Sequence, residues 1–240
     1  MTRHSSPVTR HGFFVTGTDT GVGKTVVACA LLAAFAAWGL RAAGMKPVAA
    51  GAERVAGRLT HGDVDQLIAA GNVAAPREFV NPYCFLPAIA PYIAAAQAGT
   101  VIDLDRIVGS FDELAALADV VIVEGVGGFR VPLGRNIDTS ALAARLALPV
   151  VLVVGMRLGC LNHALLTSEA IAARGLVLAG WVANHIDPEM EAAEENVRAL
   201  QQELPTPLLA RVPYAPAPDY RTVASLLEAS ESMLPLRAGA

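Results

Sequence analysis

Gly17-Thr-Asp-Thr-Gly-Val-Gly-Lys-Thr25 is the stretch on which the fold of this chain turns. It follows the apolar run Phe13-Phe-Val15 and precedes an Ala/Leu-rich stretch, so it reads as a turn from a strand into a helix. Gly21 and Gly23 permit a tight turn and let backbone N–H groups approach phosphate oxygens closely. Lys24 supplies a point charge, Thr25 a hydroxyl suited to Mg²⁺, and the helix opening near Thr25 its positive end. The strict pattern G-x-x-x-x-G-K-[ST] would place its first glycine at position 18, where this chain has Thr18; Gly17 comes one place earlier. A Gly-rich turn with an incidental lysine is the plain alternative. Placement between a strand and an apolar helix favours phosphate binding.

Working outward, short β-rich runs alternate with longer helical stretches. Residues 13–17, 43–48, 120–125, 150–155, 177–184 and 208–213 read as strands, and 25–38, 63–70, 104–117, 140–146, 162–174 and 191–204 as helices. Most of the strands are continuously apolar, as strands covered on both faces are. The alternation predicts a parallel sheet with right-handed crossovers. The expected fold is therefore a single-domain, P-loop NTPase-type three-layer α/β fold, with a mostly parallel central sheet and helices on both faces. No linker, charge block or repeat divides the chain, so 12–235 is expected to be one domain and 1–11 a flexible extension.

Composition narrows the class. Of 240 residues, 54% are hydrophobic and 17% charged, which suits a large core and argues against long disorder. A net charge of −4 argues against a general nucleic-acid binder. The mean hydropathy of +0.47 raises the question of a membrane span. The longest apolar run, 26–40, has about 15 residues and falls short of the ~20 needed. The first dozen residues lack the apolar centre of a secretory signal. Cys29, Cys84 and Cys160 have no metal-like spacing and suit a reduced cytosolic setting, and the five histidines suggest no zinc site.

In a parallel sheet, ligands bind beyond the carboxyl ends of the strands, and four expected strands end near Gly17, Lys46, Glu124 and Asn184. These positions are expected to converge on one edge. Lys46 could be an ordinary snorkelling lysine or a fixed ammonium facing developing negative charge. Glu124, followed by a Gly-rich turn, could offer hard oxygen to Mg²⁺. By its place ahead of Leu67 and Ile68, Asp63 reads as a helix N-cap. Gly159-Cys-Leu-Asn162 opens a helix whose free N–H groups suit a carboxylate, and Cys160 has no base near it. The Asn184 amide can donate and accept at once, and a turn role before Pro188 also fits.

The string FFVTGTDTGVGKT, 13–25, resembles the opening of the dethiobiotin synthetases. In order along the chain, Gly44-Met-Lys-Pro-Val48, Val80-Asn-Pro-Tyr83, Val123-Glu-Gly-Val-Gly-Gly128, Arg157-Leu-Gly-Cys-Leu-Asn-His163 and Gly180-Trp-Val-Ala-Asn184 resemble further segments of that family. The matches run from about residue 12 to 215. The resemblance implies an ATP- and Mg²⁺-dependent ligase that forms carbon–nitrogen bonds, turning 7,8-diaminopelargonic acid and CO₂ into dethiobiotin in biotin biosynthesis. It implies Lys46 and Lys24 as catalytic groups and Thr25, Asp63 and Glu124 as metal ligands, with Asp65 a neighbouring alternative to Asp63. ATP contacts are implied for Gly21, Val22, Gly23, Lys24, Thr25, Val26, Asp63, Glu124, Gly125, Val126, Gly127, Asn184, His185, Pro213, Tyr214 and Ala215. Substrate contacts are implied for Thr20, Ala50, Gly159, Cys160, Leu161 and Asn162. It further implies a cytoplasmic homodimer with the substrate site at the subunit boundary, and neither nucleic acid nor membrane as partner. The chain departs from the family at Ala50, where a serine is frequent, and at Gly21, where some members carry an acid. Asp219 is the nearest candidate for an acid that follows the last nucleotide segment. Partition-type ATPases carry an extra loop lysine where this chain has Asp19, which argues against that class.

Overall fold

The computed structural model describes residues 11–233. Apart from His11, the expected extension lies outside the described residues, as do positions 234 and 235 of the expected domain. The strands are β1 (Gly12–Gly17), β2 (Ala42–Met45), β3 (Val48–Ala50), β4 (Glu53–Val55), β5 (Arg58–Thr60), β6 (Tyr83–Phe85), β7 (Val120–Glu124), β8 (Pro132–Gly134), β9 (Ile137–Asp138), β10 (Val150–Met156), β11 (Leu178–His185) and β12 (Leu208–Val212). The α-helices are α1 (Lys24–Ala37), α2 (Gly62–Ala70), α3 (Arg77–Val80), α4 (Pro91–Gln97), α5 (Leu104–Leu117), α6 (Thr139–Leu146), α7 (Cys160–Ala173), α8 (Ala193–Glu203) and α9 (Tyr220–Glu228).

Six strands form the central sheet in the order β12-β11-β10-β1-β7-β2, every pair parallel. Successive side chains of a strand point to opposite faces, and the core divides accordingly. Phe13, Val15, Val120, Ile122, Val151 and Val153 join α1 and α9 residues such as Leu31, Phe35 and Leu227 on one face. On the other face, Phe14, Val121 and Val123 meet Phe111 and Leu114 of α5, and Leu152, Val154 and Trp181 meet Val197 and Leu200 of α8. The continuous apolar runs therefore reflect helices on both sides. The long apolar stretch after the phosphate loop is α1, buried against the sheet, and no described helix is long and apolar enough to cross a membrane.

The free edge of β2, whose residues are all buried, is closed in part by one side chain. Asn72 accepts the Ala42 N–H at 2.8 Å and donates to the Leu40 carbonyl at 2.9 Å, which occupies groups that could recruit another strand.

The sequence reading of 43–48 as one strand needs correction. β2 ends at Met45, and β3 belongs to a separate two-stranded ribbon with β6. Pro47 has no N–H to continue a ladder. The Lys46 N–H turns to the Val80 carbonyl at 2.8 Å, and the buried Asn81 amide donates to the Lys46 carbonyl at 2.6 Å and the Tyr83 carbonyl at 2.9 Å. The Asn-Pro-Tyr segment thus fixes the kink from which the Lys46 side chain leaves the sheet.

Candidate active site

β1 delivers the chain into the phosphate loop at Gly17. A Cβ there would lie 2.6 Å from Val22 Cγ2, so the loop can fold back over the strand end only with glycine. Gly23 has φ of 91°, in the left-handed region, and its hypothetical Cβ would lie 2.2 Å from Asn184 Nδ2. Asn184 uses that nitrogen to donate to the Val22 carbonyl at 2.8 Å. The Gly23→Ala variant is expected to lose about 1–3 kcal/mol in a urea melt from backbone strain alone, and to lose nucleotide affinity with it.

Beside the loop lies a cleft of about 460 Å³ that is lined by Thr20, Gly21, Gly23, Lys24, Thr25, Val26, Lys46, Ala50, His61, Gln66, Asp63, Glu124, Val126 and Gly127. Lys46 Nζ is 2.8 Å from Asp63 Oδ2 and 2.5 Å from Glu124 Oε1. The Thr25 hydroxyl donates to the same Glu124 oxygen at 2.9 Å. Strands β1, β2 and β7 pair in register, with Val15 opposite Glu124 and Met45 opposite Val123, so these groups meet at one edge of the sheet. Asp65, the alternative acid, points away to Arg77 at 2.6 Å. Nor is Asp63 the cap of α2: it lies within the helix, and His61 is the N-cap.

Electrostatics follow from burial and pairing. Burial works against the Lys46 ammonium, but Glu124 and Asp63 outweigh it, and its pKa is raised above the ordinary lysine value. For Asp63, burial pushes the pKa up, yet the Lys46 charge and hydrogen bond hold it below the usual carboxylate value. Among the described residues no carboxylate pairs with Lys24; its Nζ donates to the Asp19 carbonyl at 2.9 Å. Burial first, and then repulsion from Lys46, lower its pKa to about 8.

That value predicts a proton linkage. Phosphate anions favour charged Lys24, so the complex holds a proton that the free protein sheds above pH 8. Affinity for ADP is therefore expected to fall as pH rises through about 8, and to be insensitive to this lysine well below it. Above pH 8, proton uptake should accompany ADP binding and shrink as pH is lowered, as read by calorimetry in buffers of different ionisation heat. Binding without uptake would contradict the placement of Lys24 against phosphate.

The donor set fits a hard cation. Glu124 Oε2 is buried without a hydrogen-bond partner, in a residue only 1% exposed, while Oε1 takes both Lys46 and Thr25. Two carboxylates and a hydroxyl beside a phosphate loop are the oxygen ligands Mg²⁺ takes when it also binds substrate phosphates.

On the far side of the loop is a second cleft of about 250 Å³, sharing Gly21 and Gly23 with the first. Asn184, His185, Pro213, Tyr214 and Ala215 line it. His185 Nδ1 faces the Val212 carbonyl at 2.9 Å, which fixes the ring beside the Asn184 backbone. Asp219 is not part of this wall; its side chain caps α9 by accepting the Arg221 N–H.

Gly159, Cys160, Leu161 and Asn162 stand apart from both clefts, at the start of α7. Gly159 and Asn162 are exposed, whereas Cys160 packs with Leu152 and Trp181, and its burial raises the thiol pKa. An ion pair of Arg157 with Asp19, at 2.5 Å, ties this turn to the phosphate loop. Sequence reasoning missed His61 and Gln66 as cleft residues. Judged by metal-ligand spacing alone, His61 carried no signal, although its place two residues ahead of an acid at a helix start did offer one.

A family model described as an AAA domain matches residues 11–220. The ATP-dependent dethiobiotin synthetase BioD of Aromatoleum aromaticum is 57% identical over 215 residues, covering 90% of this chain and 96% of that protein. The protein of the same name from Nitrosospira multiformis is 57% identical over 217 residues, covering 90% and 94%. Among solved structures, a ParA family ATPase from Chlorobium tepidum superposes with a TM-score of 0.52 at 15% identity, covering 97% of this chain and 96% of that one. The septum site-determining protein MinD of Pyrococcus horikoshii, complexed with Mg-ADP, gives 0.52 at 18%, covering 86% and 82%. These two share the fold alone. With more than half its residues identical to curated relatives across nearly their whole length, the chain belongs to the ATP-dependent dethiobiotin synthetase family.

Proposed function

We propose that this chain converts 7,8-diaminopelargonic acid, CO₂ and ATP into dethiobiotin, ADP and phosphate. The observation that carries the reading is the Lys46 ammonium held between Asp63 and Glu124, in the same cleft as Lys24 and the phosphate loop.

One amine of the substrate adds to CO₂ and loses a proton, giving a carbamate. A carbamate oxygen attacks the γ-phosphorus as the bond to ADP breaks, giving a carbamic–phosphoric anhydride. The second amine then attacks the carbonyl carbon, loses a proton and expels phosphate, closing the cyclic urea. Little of this needs a protein nucleophile; it needs two anions brought together and charge neutralised as it moves. Lys24 and the N–H groups of the loop bind the phosphates. In this reading Lys46 faces both carbamate and γ-phosphate oxygens, and its carboxylate partners support the charged form. Mg²⁺, held by Thr25, Asp63 and Glu124, would supply further neutralisation of the phosphate oxygens. Asn184, His185, Pro213, Tyr214 and Ala215 receive the nucleoside, with Val126 and Gly127 in the wall of the first cleft and Gly125 beside them in the same turn. Thr20 and Ala50 line the diaminopelargonate end.

The exposed turn Gly159–Asn162 is assigned to the substrate carboxylate of a second copy, which makes the working form a homodimer in the cytoplasm. Sedimentation during turnover tests this, and a monomeric mass in an active sample would contradict it. The reaction is tested by incubating pure protein with ATP, Mg²⁺, bicarbonate and diaminopelargonate. ADP and dethiobiotin are expected in equal amounts; ADP release without ring formation would overturn the assignment.

A further inference from the structure

The wall of the first cleft holds a histidine whose two ring nitrogens are both committed to backbone. His61 Nδ1 accepts the N–H of Asp63 at 3.2 Å, and Nε2 lies 3.2 Å from the carbonyl oxygen of Ala50. An amide N–H only donates and a carbonyl only accepts, so the partners select the tautomer with hydrogen on Nε2. The side chain is 15% exposed and lines the cleft. His61 is also the N-cap of α2, a place where a short Ser, Thr, Asp or Asn is preferred. Those residues would satisfy the Asp63 N–H, but they are too short to bridge onward to β3. A ring spans the gap from the first turn of α2 to the end of β3.

The two ends of this strut are both cleft elements. Asp63 places its carboxylate 2.8 Å from Lys46 Nζ, and Ala50 is the last residue of β3. No other hydrogen bond between side chain and backbone links α2 to β3 among those described. We infer that His61 is a positioning residue for the reaction: it fixes the Asp63 carboxylate against Lys46 and sets the spacing of the substrate wall at Ala50. This rests on the ligase reading above and concerns the same cleft.

Two conservative variants separate the two bonds. His61→Asn keeps an acceptor near the Nδ1 position and loses the reach to Ala50, whereas His61→Gln keeps a donor near the Nε2 position and loses the cap. His61→Ala loses both. Supporting partners of this kind typically change metal affinity or activity about 10–100-fold. The His61→Ala variant is therefore expected to lower kcat at least about tenfold and to weaken Mn²⁺ binding in the presence of ADP, read by electron paramagnetic resonance, by a similar factor. ADP affinity without a divalent cation should move less than about twofold, because the loop and Lys24 are untouched. The KM for diaminopelargonate should rise in His61→Ala as the wall at Ala50 shifts; His61→Asn should recover the Mn²⁺ affinity but not that KM, and His61→Gln the reverse.

A purely structural cap would lower the melting temperature and leave affinities of the folded fraction unchanged. The proposal is overturned if His61→Ala retains kcat and Mn²⁺ affinity within twofold. It is equally overturned if both conservative variants behave as His61→Ala does. Should wild-type protein make no dethiobiotin, the ligase reading fails first, and the Mn²⁺ arm still decides whether His61 positions Asp63.

Discussion

Alanine in place of Lys46 should lower kcat at least about a thousandfold while the protein remains folded, because a buried charge aimed at a developing anion is worth several kcal/mol to the transition state. Lys46 is 3% exposed and ends in a cleft, not at a surface. Its bonds to Asp63 and Glu124 hold the ammonium charged and in place. On the proposed mechanism, removing the nitrogen leaves negative charge shared between carbamate and γ-phosphate without a partner at that point. The two carboxylates also lose their counterion, and breaking one side of a buried pair costs about 3–5 kcal/mol. Part of that cost can be relieved by protonating Asp63 or by a bound divalent cation. The variant should therefore melt lower at neutral pH, and saturating Mg²⁺ with ADP should restore part of the loss. Steady-state rates and thermal melts read the two effects separately. Retention of more than about a tenth of wild-type kcat would remove Lys46 from the chemistry.

The second large effect belongs to Glu124. Glu124→Gln keeps the size of a fully enclosed side chain and its contact with Thr25, but removes the charge that faces Lys46 at 2.5 Å. Two losses combine. The ammonium loses its closer carboxylate, so the influence that keeps Lys46 charged despite burial weakens. The oxygen now lacking a partner, Oε2, becomes or exchanges with an amide nitrogen, which cannot serve a hard cation. At least about a hundredfold loss in kcat is expected, with a raised Mg²⁺ requirement and nucleotide binding through the loop largely kept. Mg²⁺-dependence of the rate checks it. An unchanged Mg²⁺ midpoint would show that Glu124 serves Lys46 alone.

How far the sequence foretells this molecule depends on the range of the interactions. The six sheet strands are legible because burial on both faces leaves continuous apolar runs, and the helices between them because α/β crossovers repeat. The Lys46-Pro47 kink is not, since its fixing bonds come from Val80 and Asn81, more than thirty residues on. The ribbons β3–β6, β4–β5 and β8–β9 are too short for a period to register, and α4 and α9 sit beside prolines that read as loop. Within the site, the loop from Gly17 to Thr25 is local and readable. The contact between Thr25 and Glu124 spans 99 positions and follows only from the strand order. His61 escapes metal-ligand spacing, because its partners are two backbone groups, and only its place at a helix start hints at it.

Whether carbamate and nucleotide share this cleft is tested most directly by tracing oxygen. Protein supplied with ATP, Mg²⁺, diaminopelargonate and freshly dissolved, doubly ¹⁸O-labelled CO₂ should release phosphate carrying one ¹⁸O, with the other retained in the carbonyl of dethiobiotin. Phosphate without label, formed alongside dethiobiotin, would mean that no carbamate oxygen reaches the γ-phosphorus, and would contradict the account.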